Sequence, residues 1–241
     1  MKSFRAILLA AGLGTRLRPI TNKIPKCLVK VGDKPLLGRW IYYLDGIGCQ
    51  SLLINTHYLS DQVENYINQI SDVKMKVTLT YEEKLLGTAG TLIENKNFFG
   101  NNTGILIHAD NYSEAKLDQF IEAHHKRDKN CILTMLTFDT NKPESSGIIA
   151  KDDRNIMTGF YEKIKNPPGK CANCAIYAFE NRFLSWLQKN FPNARDFSID
   201  VLPNLLNQVQ TFHNKELFVD IGDIKSLDEV NALISRRGSS K

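Results

Sequence analysis

The amino-acid sequence predicts an α/β fold, a doubly wound and mostly parallel sheet with an added β-rich part after about residue 140. Three observations predict it. Strand-like and helix-like patterns alternate along the first part of the chain, as strands joined by helices on both sheet faces require. A short apolar run, Ala6–Ala11, leads directly into a glycine-rich loop. Beyond the change of texture, 147–151 and 159–163 flank the turn-like Asp152-Asp153-Arg154-Asn155, the pattern of an antiparallel hairpin.

Arg5–Leu9 is the buried first strand, and Pro35 starts an amphipathic helix that ends near Gly48. Ser51–Asn55 is a second strand, and Asp61–Ile70 a helix with Ser60 as its N-cap. Lys76–Tyr81 alternates polar and apolar residues, as a strand with one covered face does. Gly87-Thr88-Ala89-Gly90 opens a short helix, Gly104–Ile107 is another buried strand, Leu117–Arg127 a helix and Cys131–Thr137 a strand. After the hairpin come a strand over Ala172–Phe179 and helices over Asn181–Asn190 and Ser198–Gln208. Thr211–Val219 is β-rich, Ser226–Ser235 is the closing helix and Arg236–Lys241 a frayed tail. No repeat, low-complexity tract or linker divides the chain. Residues 1–241 are therefore read as one domain, with 1–140 and 141–235 as its halves.

The composition, 42% hydrophobic and 24% charged, is that of a soluble globular protein. Its formal net charge of +5 is unevenly spread. Arg16, Arg18, Lys23, Lys26, Lys30, Lys34 and Arg39 crowd one segment against Asp33 alone, which suggests a phosphate-rich ligand. Nucleic acid is disfavoured, because no aromatic residue interleaves with those cations before Trp40. The apolar run Ala6–Ala11 is too short for a secretion signal or a membrane span. Five scattered cysteines make no disulfide framework, so a reduced cytoplasm is the expected location. A homo-oligomer is left open.

The decisive segment is Leu8-Leu9-Ala10-Ala11-Gly12-Leu13-Gly14-Thr15-Arg16-Leu17-Arg18-Pro19, followed by Pro25-Lys26-Cys27-Leu28. Glycines let a backbone approach a ligand closely and turn its N–H groups toward phosphate oxygens. Arg16 can pair with phosphate through two hydrogen bonds, and Lys26 adds a compact charge. Two better-known phosphate motifs fail here. There is no Gly-Lys-Ser/Thr string for a P-loop, and Leu17 stands where a dinucleotide fingerprint needs its third glycine.

The string L-x-x-G-x-G-T-R-L-x-P with Pro25-Lys26 resembles the signature of the sugar-1-phosphate nucleotidylyltransferases, the sugar-nucleotide pyrophosphorylases. Later segments resemble the family's motifs in the same order: Gly87–Gly90, His108-Ala109-Asp110, Phe160-Tyr161-Glu162-Lys163, Asn173–Phe179 and Phe218–Gly222. The resemblance implies a Rossmann-like fold and the reaction of an NTP with a sugar 1-phosphate, releasing pyrophosphate. It implies catalytic roles for Arg16 and Lys26, and nucleotide contacts from Leu9, Ala10, Ala11, Gly12, Gly14, Thr15, Glu82, Gly87 and Thr88. Glu162, Lys163 and Asn173 would bind the sugar phosphate, and Asp110 and Asp220 would hold magnesium, Mg2+. Tyr81-Glu82-Glu83 with Gly87–Gly90 looks most like the mannose- or heptose-1-phosphate guanylyltransferase branch, which favours GTP. Surface-polysaccharide precursor synthesis follows by analogy.

Alternatives remain at several positions. A thymidylyl-, uridylyl- or cytidylyltransferase, or a catalytically silent regulatory subunit, would share much of the pattern. Asp110 could cap a turn, Asp223 competes with Asp220 for the metal, and Lys163 could be a solvated hairpin lysine. Cys171-Ala172-Asn173-Cys174 lacks the second ligand pair of a zinc site, and Cys27 is read as packing. His124-His125 is read as a solvated helix face, while His57 and His213 show no evident partner.

Overall fold

The computed structural model describes residues 3–238, which pack into two compact units. The first unit takes the chain up to Ile7, Leu86–Ile107 and Ala115–Glu216; the second takes Leu8–Leu85, His108–Glu114 and the chain from Leu217 onward. In chain order the elements begin with β1 (Phe4–Leu9), whose last two residues belong to the second unit. That unit continues with β2 (Lys30–Val31), β3 (Lys34–Pro35), α1 (Leu36–Gly46), β4 (Ser51–Thr56), α2 (Ser60–Asn68) and β5 (Lys76–Tyr81). The first unit then supplies α3 (Gly87–Glu94) and β6 (Thr103–His108), and the second β7 (Asn111–Ser113). The first unit resumes with α4 (Leu117–His125), β8 (Leu133–Asp139), β9 (Gly147–Lys151), β10 (Met157–Glu162), β11 (Cys171–Phe179), α5 (Asn181–Asn190) and β12 (Val209–His213). The second ends with β13 (Phe218–Asp220) and α6 (Ile224–Gly238). The α/β class expected from the alternating pattern is the one observed.

In the first unit the strand order is β10-β9-β11-β6-β1, with β8 also on β11 and β12 parallel to β8. Strand β11 runs antiparallel to β6, β8 and β9. Its second half, from Ile176 to Phe179, is buried without a break, as a strand covered on both faces must be. Between Asn173 and Tyr177 it carries a bulge, where Ala175 adopts φ 54°. Phe99, Phe179, Phe183 and Phe197 fill the core beside it.

In the second unit β1, β4 and β5 lie in that order, with β4 and β5 parallel from Ser51↔Lys76 to Thr56↔Tyr81. The short strands β7 and β13 pair antiparallel, Asp220 opposite Asn111. A satellite core of Leu17, Val29, Val31, Leu36, Tyr112, Ile221, Leu227 and Val230 packs the loop after β1, the start of α1, β7 and α6 together. Each full burial of such an aliphatic side chain is worth about 1.5–3 kcal/mol. That packing fixes the loop from below. No helix among the described residues is long and apolar enough to cross a membrane.

Several local expectations are corrected. Ser60 is the first residue of α2 rather than its cap; Leu59 precedes it at φ 52°. The helix expected over Ser198–Gln208 is a π-type turn over Phe197–Val201 followed by a 3₁₀ turn over Leu202–Leu205. Pro203 supplies no N–H to continue a helix, and Asn207 turns back at φ 63°. Thr211–Val219 divides into β12 and β13, and α6 runs on to Gly238; residues 239–241 of the expected tail lie outside the described residues.

His124 is the largest departure from expectation. It is fully buried on the inner face of α4, its Nδ1 2.7 Å from the Thr134 hydroxyl. Burial pushes its imidazole down from 6.5 to about 2, with the charges of Arg127 and His125 adding to the effect. The native state holds this ring neutral while the unfolded chain protonates it below pH 6.5. Its contribution to stability is therefore complete above that pH and declines below it, by at most about 1.4 kcal/mol per pH unit. The stability gap between wild type and His124→Gln, read from urea midpoints, is expected to narrow from pH 7.5 to pH 5. A gap that stays constant contradicts the assignment.

Candidate functional site

In open α/β sheets ligands bind beyond the carboxyl ends of the strands. In the second unit those ends carry polar residues in close array. Leu9 ends β1, Asn55 and Thr56 end β4, Glu82 follows β5, and His108 closes β6 ahead of Asp110. The Ala10 N–H donates to Asn55 Oδ1 at 2.7 Å, and Asn55 Nδ2 donates to Glu82 Oε1 at 2.9 Å. The Ala109 N–H donates to the Leu9 carbonyl at 3.1 Å. The entrance to the glycine loop is thereby tied on both sides.

The two glycines of this loop do different work. Gly14 sits at φ 62°, and its carbonyl accepts from the Leu17 N–H at 3.0 Å and the Thr21 hydroxyl at 2.7 Å. A methyl group there would lie 2.9 Å from Thr21 Cγ2 and 3.1 Å from Lys26 Cβ. Gly12 is exposed, and a methyl group there would meet no protein atom within 4 Å. Gly14 serves the fold; the space beside Gly12 is open to a ligand. Gly14→Ala is expected to lower the thermal midpoint by several degrees, from about 1–3 kcal/mol of strain. Gly12→Ala is expected to leave the midpoint within about a degree yet weaken nucleotide binding about tenfold or more. Equal behaviour of the two variants in melting and nucleotide titration contradicts this division.

Charge concentrates at the foot of the loop. Lys26 is buried, and its Nζ lies 2.5 Å from Asp110 Oδ2. The β7–β13 pairing sets Asp220 opposite Asn111, and the Ile221 N–H donates to the Asp110 carbonyl at 3.4 Å. Burial alone would raise the Asp110 carboxyl. The Lys26 ammonium, His108 and two hydrogen bonds outweigh it and hold Asp110 below the ordinary carboxylate value. Asp220 opens to solvent by area, yet the protein around its carboxyl removes enough water to raise it. The Asp110 charge raises it further, against Lys26, Arg16 and His108. The Arg16 guanidinium packs over Gly222, where a methyl group would stand 3.0 Å from Nη1.

An ionised carboxylate that raises the proton affinity of its neighbour marks a place where a cation lowers the energy. Magnesium takes one or two carboxylates and completes its shell with phosphates and water. Asp110 and Asp220 match that donor set. Among the described residues no three His, Cys, Asp or Glu side chains form a group that could hold a metal ion. Asp223 is otherwise engaged: its Oδ1 accepts from the Ser226 N–H at 2.8 Å and hydroxyl at 2.7 Å, capping the first turn of α6. Cys27 packs, burial pushing its thiol up to about 12.

The other residues expected at the site lie in the first unit. Gly87, at φ 81°, opens α3 against the Arg195 carbonyl, which a methyl group there would overlap. The Thr88 hydroxyl accepts from the Phe197 N–H at 2.7 Å, and the Ala89 N–H donates to the Arg195 carbonyl at 2.9 Å. This segment thus fastens α3 to residues 195–197. Glu162 and Lys163 form an ion pair at 2.9 Å at the end of β10, with Lys163 mostly exposed at φ 50°. Asn173 accepts from the Ala175 N–H at 2.8 Å and donates to the Tyr177 hydroxyl at 2.5 Å, inside the β11 bulge.

Asn55 and Thr21 escape the sequence pattern. Asn55 carries one signal, an amide closing an otherwise apolar strand at its carboxyl end. Thr21 carries none. His57 and His213 do have partners: the Glu82 carbonyl, and Thr137 with Asp139.

A family model described as Nucleotidyl transferase matches residues 5–237. A mannose-1-phosphate guanylyltransferase of Mycobacterium tuberculosis is 27% identical over 203 residues, covering 83% of this chain and 55% of that protein. A UTP–glucose-1-phosphate uridylyltransferase of Synechocystis sp. is 26% identical over 240 residues, covering 91% of this chain and 60% of that protein. Among solved structures, HddC from Yersinia pseudotuberculosis matches with a TM-score of 0.80 at 23% identity, over 97% of this chain and 100% of that chain. That likeness concerns the fold. The chain spans 60% and 55% of the length of these two curated relatives. With the match running from the first strand into the last helix, the chain belongs to the nucleotidyl transferase family.

Proposed function

We propose that this protein transfers a nucleotidyl group from an NTP, GTP by preference, to a sugar 1-phosphate, forming a nucleotide sugar and pyrophosphate. One observation carries the proposal: Lys26, Asp110 and Asp220 meet beneath a loop whose Gly12 faces open space. A phosphate oxygen of the sugar 1-phosphate attacks the α-phosphorus in line, and the bond to the departing pyrophosphate breaks. Such a transfer needs positioning and charge stabilisation more than covalent help from the protein. The loop from Leu9 through Ala10, Ala11, Gly12, Gly14 and Thr15 holds the triphosphate, with Arg16 toward its β- and γ-phosphates. Lys26 exchanges Asp110 for the α-phosphoryl group, stabilising the charge that builds there. Asp110 and Asp220 would hold magnesium, which would supply positive charge to offset that of the phosphates.

Gly87 and Thr88 line the nucleoside, and Lys163, Glu162 and Asn173 take the sugar phosphate. Relatives named for guanylyl and for uridylyl transfer support the reaction class, and the pattern of Glu82-Glu83 with Gly87–Gly90 favours guanine. Free cysteines throughout the described chain are consistent with a cytoplasmic protein. Its product would feed surface-polysaccharide synthesis. The test is a panel of ATP, GTP, UTP, CTP and dTTP crossed with several sugar 1-phosphates, reading pyrophosphate with magnesium or with EDTA. Magnesium-dependent release, fastest with GTP and mannose or heptose 1-phosphate, is expected. No release from any pair would overturn the activity, and a uridylyl or thymidylyl preference would overturn the choice of base.

A further inference from the structure

We infer that Asn55 and Glu82 form a buried positioning pair that sets the pose of the triphosphate loop, so that Glu82 acts on the nucleotide through Asn55. The inference rests on the reading of the loop as a triphosphate cradle. Both side chains are almost fully buried, at 3% and 5% exposure. A carboxylate is costly to bury, and a sheet that needed only packing there would be served by an apolar side chain. Glu82 is itself held rigidly. Its N–H donates to the Thr56 carbonyl at 2.9 Å, and its own carbonyl accepts from His57 Nδ1 at 2.7 Å.

The chemistry of the pair explains why these two residue types are used. An amide can present either its oxygen or its nitrogen to a neighbour, whereas an ionised carboxylate only accepts hydrogen bonds. Glu82 Oε1 therefore selects Asn55 Nδ2, at 2.9 Å, and turns Asn55 Oδ1 toward the Ala10 N–H, at 2.7 Å. Ala10 is the first residue beyond β1 and lies two residues before Gly12. Its N–H is spent on Asn55 and is not available to a phosphate. What Ala10 contributes is direction: it fixes where the following backbone emerges. An error of about 1 Å in such a frame costs orders of magnitude in a reaction that depends on positioning.

The test uses a compensating exchange in the full-length protein. Asn55→Asp sets two carboxylates face to face and removes the donor to Glu82. Adding Glu82→Gln restores a donor. The new amide nitrogen can bond one oxygen of the carboxylate introduced at position 55, while the other oxygen accepts from Ala10. Three readouts are taken: hydrogen exchange of the Ala10 amide, the thermal midpoint, and dissociation constants for GTP and for inorganic tripolyphosphate, each with magnesium. Asn55→Asp is expected to speed Ala10 exchange and to weaken both ligands about tenfold or more. The Asn55→Asp/Glu82→Gln double variant is expected to recover both ligands to within about threefold of wild type, with Ala10 again protected.

A double variant no better than the combined single effects overturns the inference, as does unchanged Ala10 protection in Asn55→Asp. If Asn55→Asp does not fold, recovery of folding and ligand binding in the double variant still supports the pair, and failure of both overturns it. Amide exchange needs no ligand, so the pair is judged even if wild type binds neither GTP nor tripolyphosphate. That last result would count against the loop reading alone.

Discussion

Replacing Lys26 by alanine is expected to lower turnover by about 10²–10³-fold, the scale on which removing one preorganised charge from a reacting phosphoryl group acts. The ammonium has two jobs. Free of ligand, it neutralises Asp110 at 2.5 Å; on the proposed mechanism it moves to the α-phosphoryl oxygens when substrate binds. Its loss therefore has a stability signature as well as a kinetic one. Without it Asp110 faces Asp220, two carboxylates whose mutual repulsion Lys26 moderates in the wild type. Breaking a partly exposed pair of this kind costs about 1–3 kcal/mol at neutral pH.

The sign with pH follows from the depressed Asp110 carboxyl. A lowered native pKa contributes stability above the unfolded value of 3.8 and loses it as pH falls through the native one. The gap in midpoint between wild type and Lys26→Ala is accordingly expected to be full near pH 7 and to close only as pH falls below 3.8. Pyrophosphate release and melting curves over that range measure both effects. Near-normal release would count heavily against the role given to Lys26.

Asp110→Asn is expected to cost less stability than Lys26→Ala while damaging turnover at least as severely, by about 10²–10⁴-fold. The amide keeps the shape and still accepts from Lys26, so the fold is retained. Removing one of two facing negative charges relieves Asp220, whose carboxyl then falls toward its ordinary value. The Lys26 ammonium loses its ionised partner, however, so the midpoint is expected to fall at neutral pH, by less than in Lys26→Ala because the relief of Asp220 offsets part of the loss. Catalysis is expected to need far more magnesium, since half of the protein's donor set is gone. Wild-type turnover at an unchanged magnesium requirement would remove Asp110 from the metal role.

The fold class and the loop are legible because their signals are local. A six-residue apolar run, Ala6–Ala11, followed by Gly12 and Gly14 with no polar interruption, reads the same in sequence and in space. The meeting of Asp110 with Asp220 is another matter. It depends on β7 and β13, three residues each, too short to show the period-two pattern that betrays a longer strand. Only their resemblance to family motifs draws attention to both.

Asp223 stays undecided in the sequence for want of its partner. Ser226, three residues on, gives Asp223 Oδ1 a capping role at the start of α6. His124 and His125 are neighbours in sequence but lie about 100° apart around the helix, so a single reading of the pair as a solvated face misplaces His124. Thr88, expected as a nucleotide contact, is also a backbone fastener to Phe197, a long-range bond that no sequence spacing announces.

In the proposed site Asp110 and Asp220 share one divalent cation, whose shell a triphosphate completes. Manganese, whose free ion gives a sharp paramagnetic resonance signal, can be titrated in place of magnesium in the presence of a non-hydrolysable GTP analogue. One tight manganese site is expected in the wild type, weakened about tenfold or more by Asp110→Asn and by Asp220→Asn alike. Manganese affinity unchanged in either variant would contradict the claim.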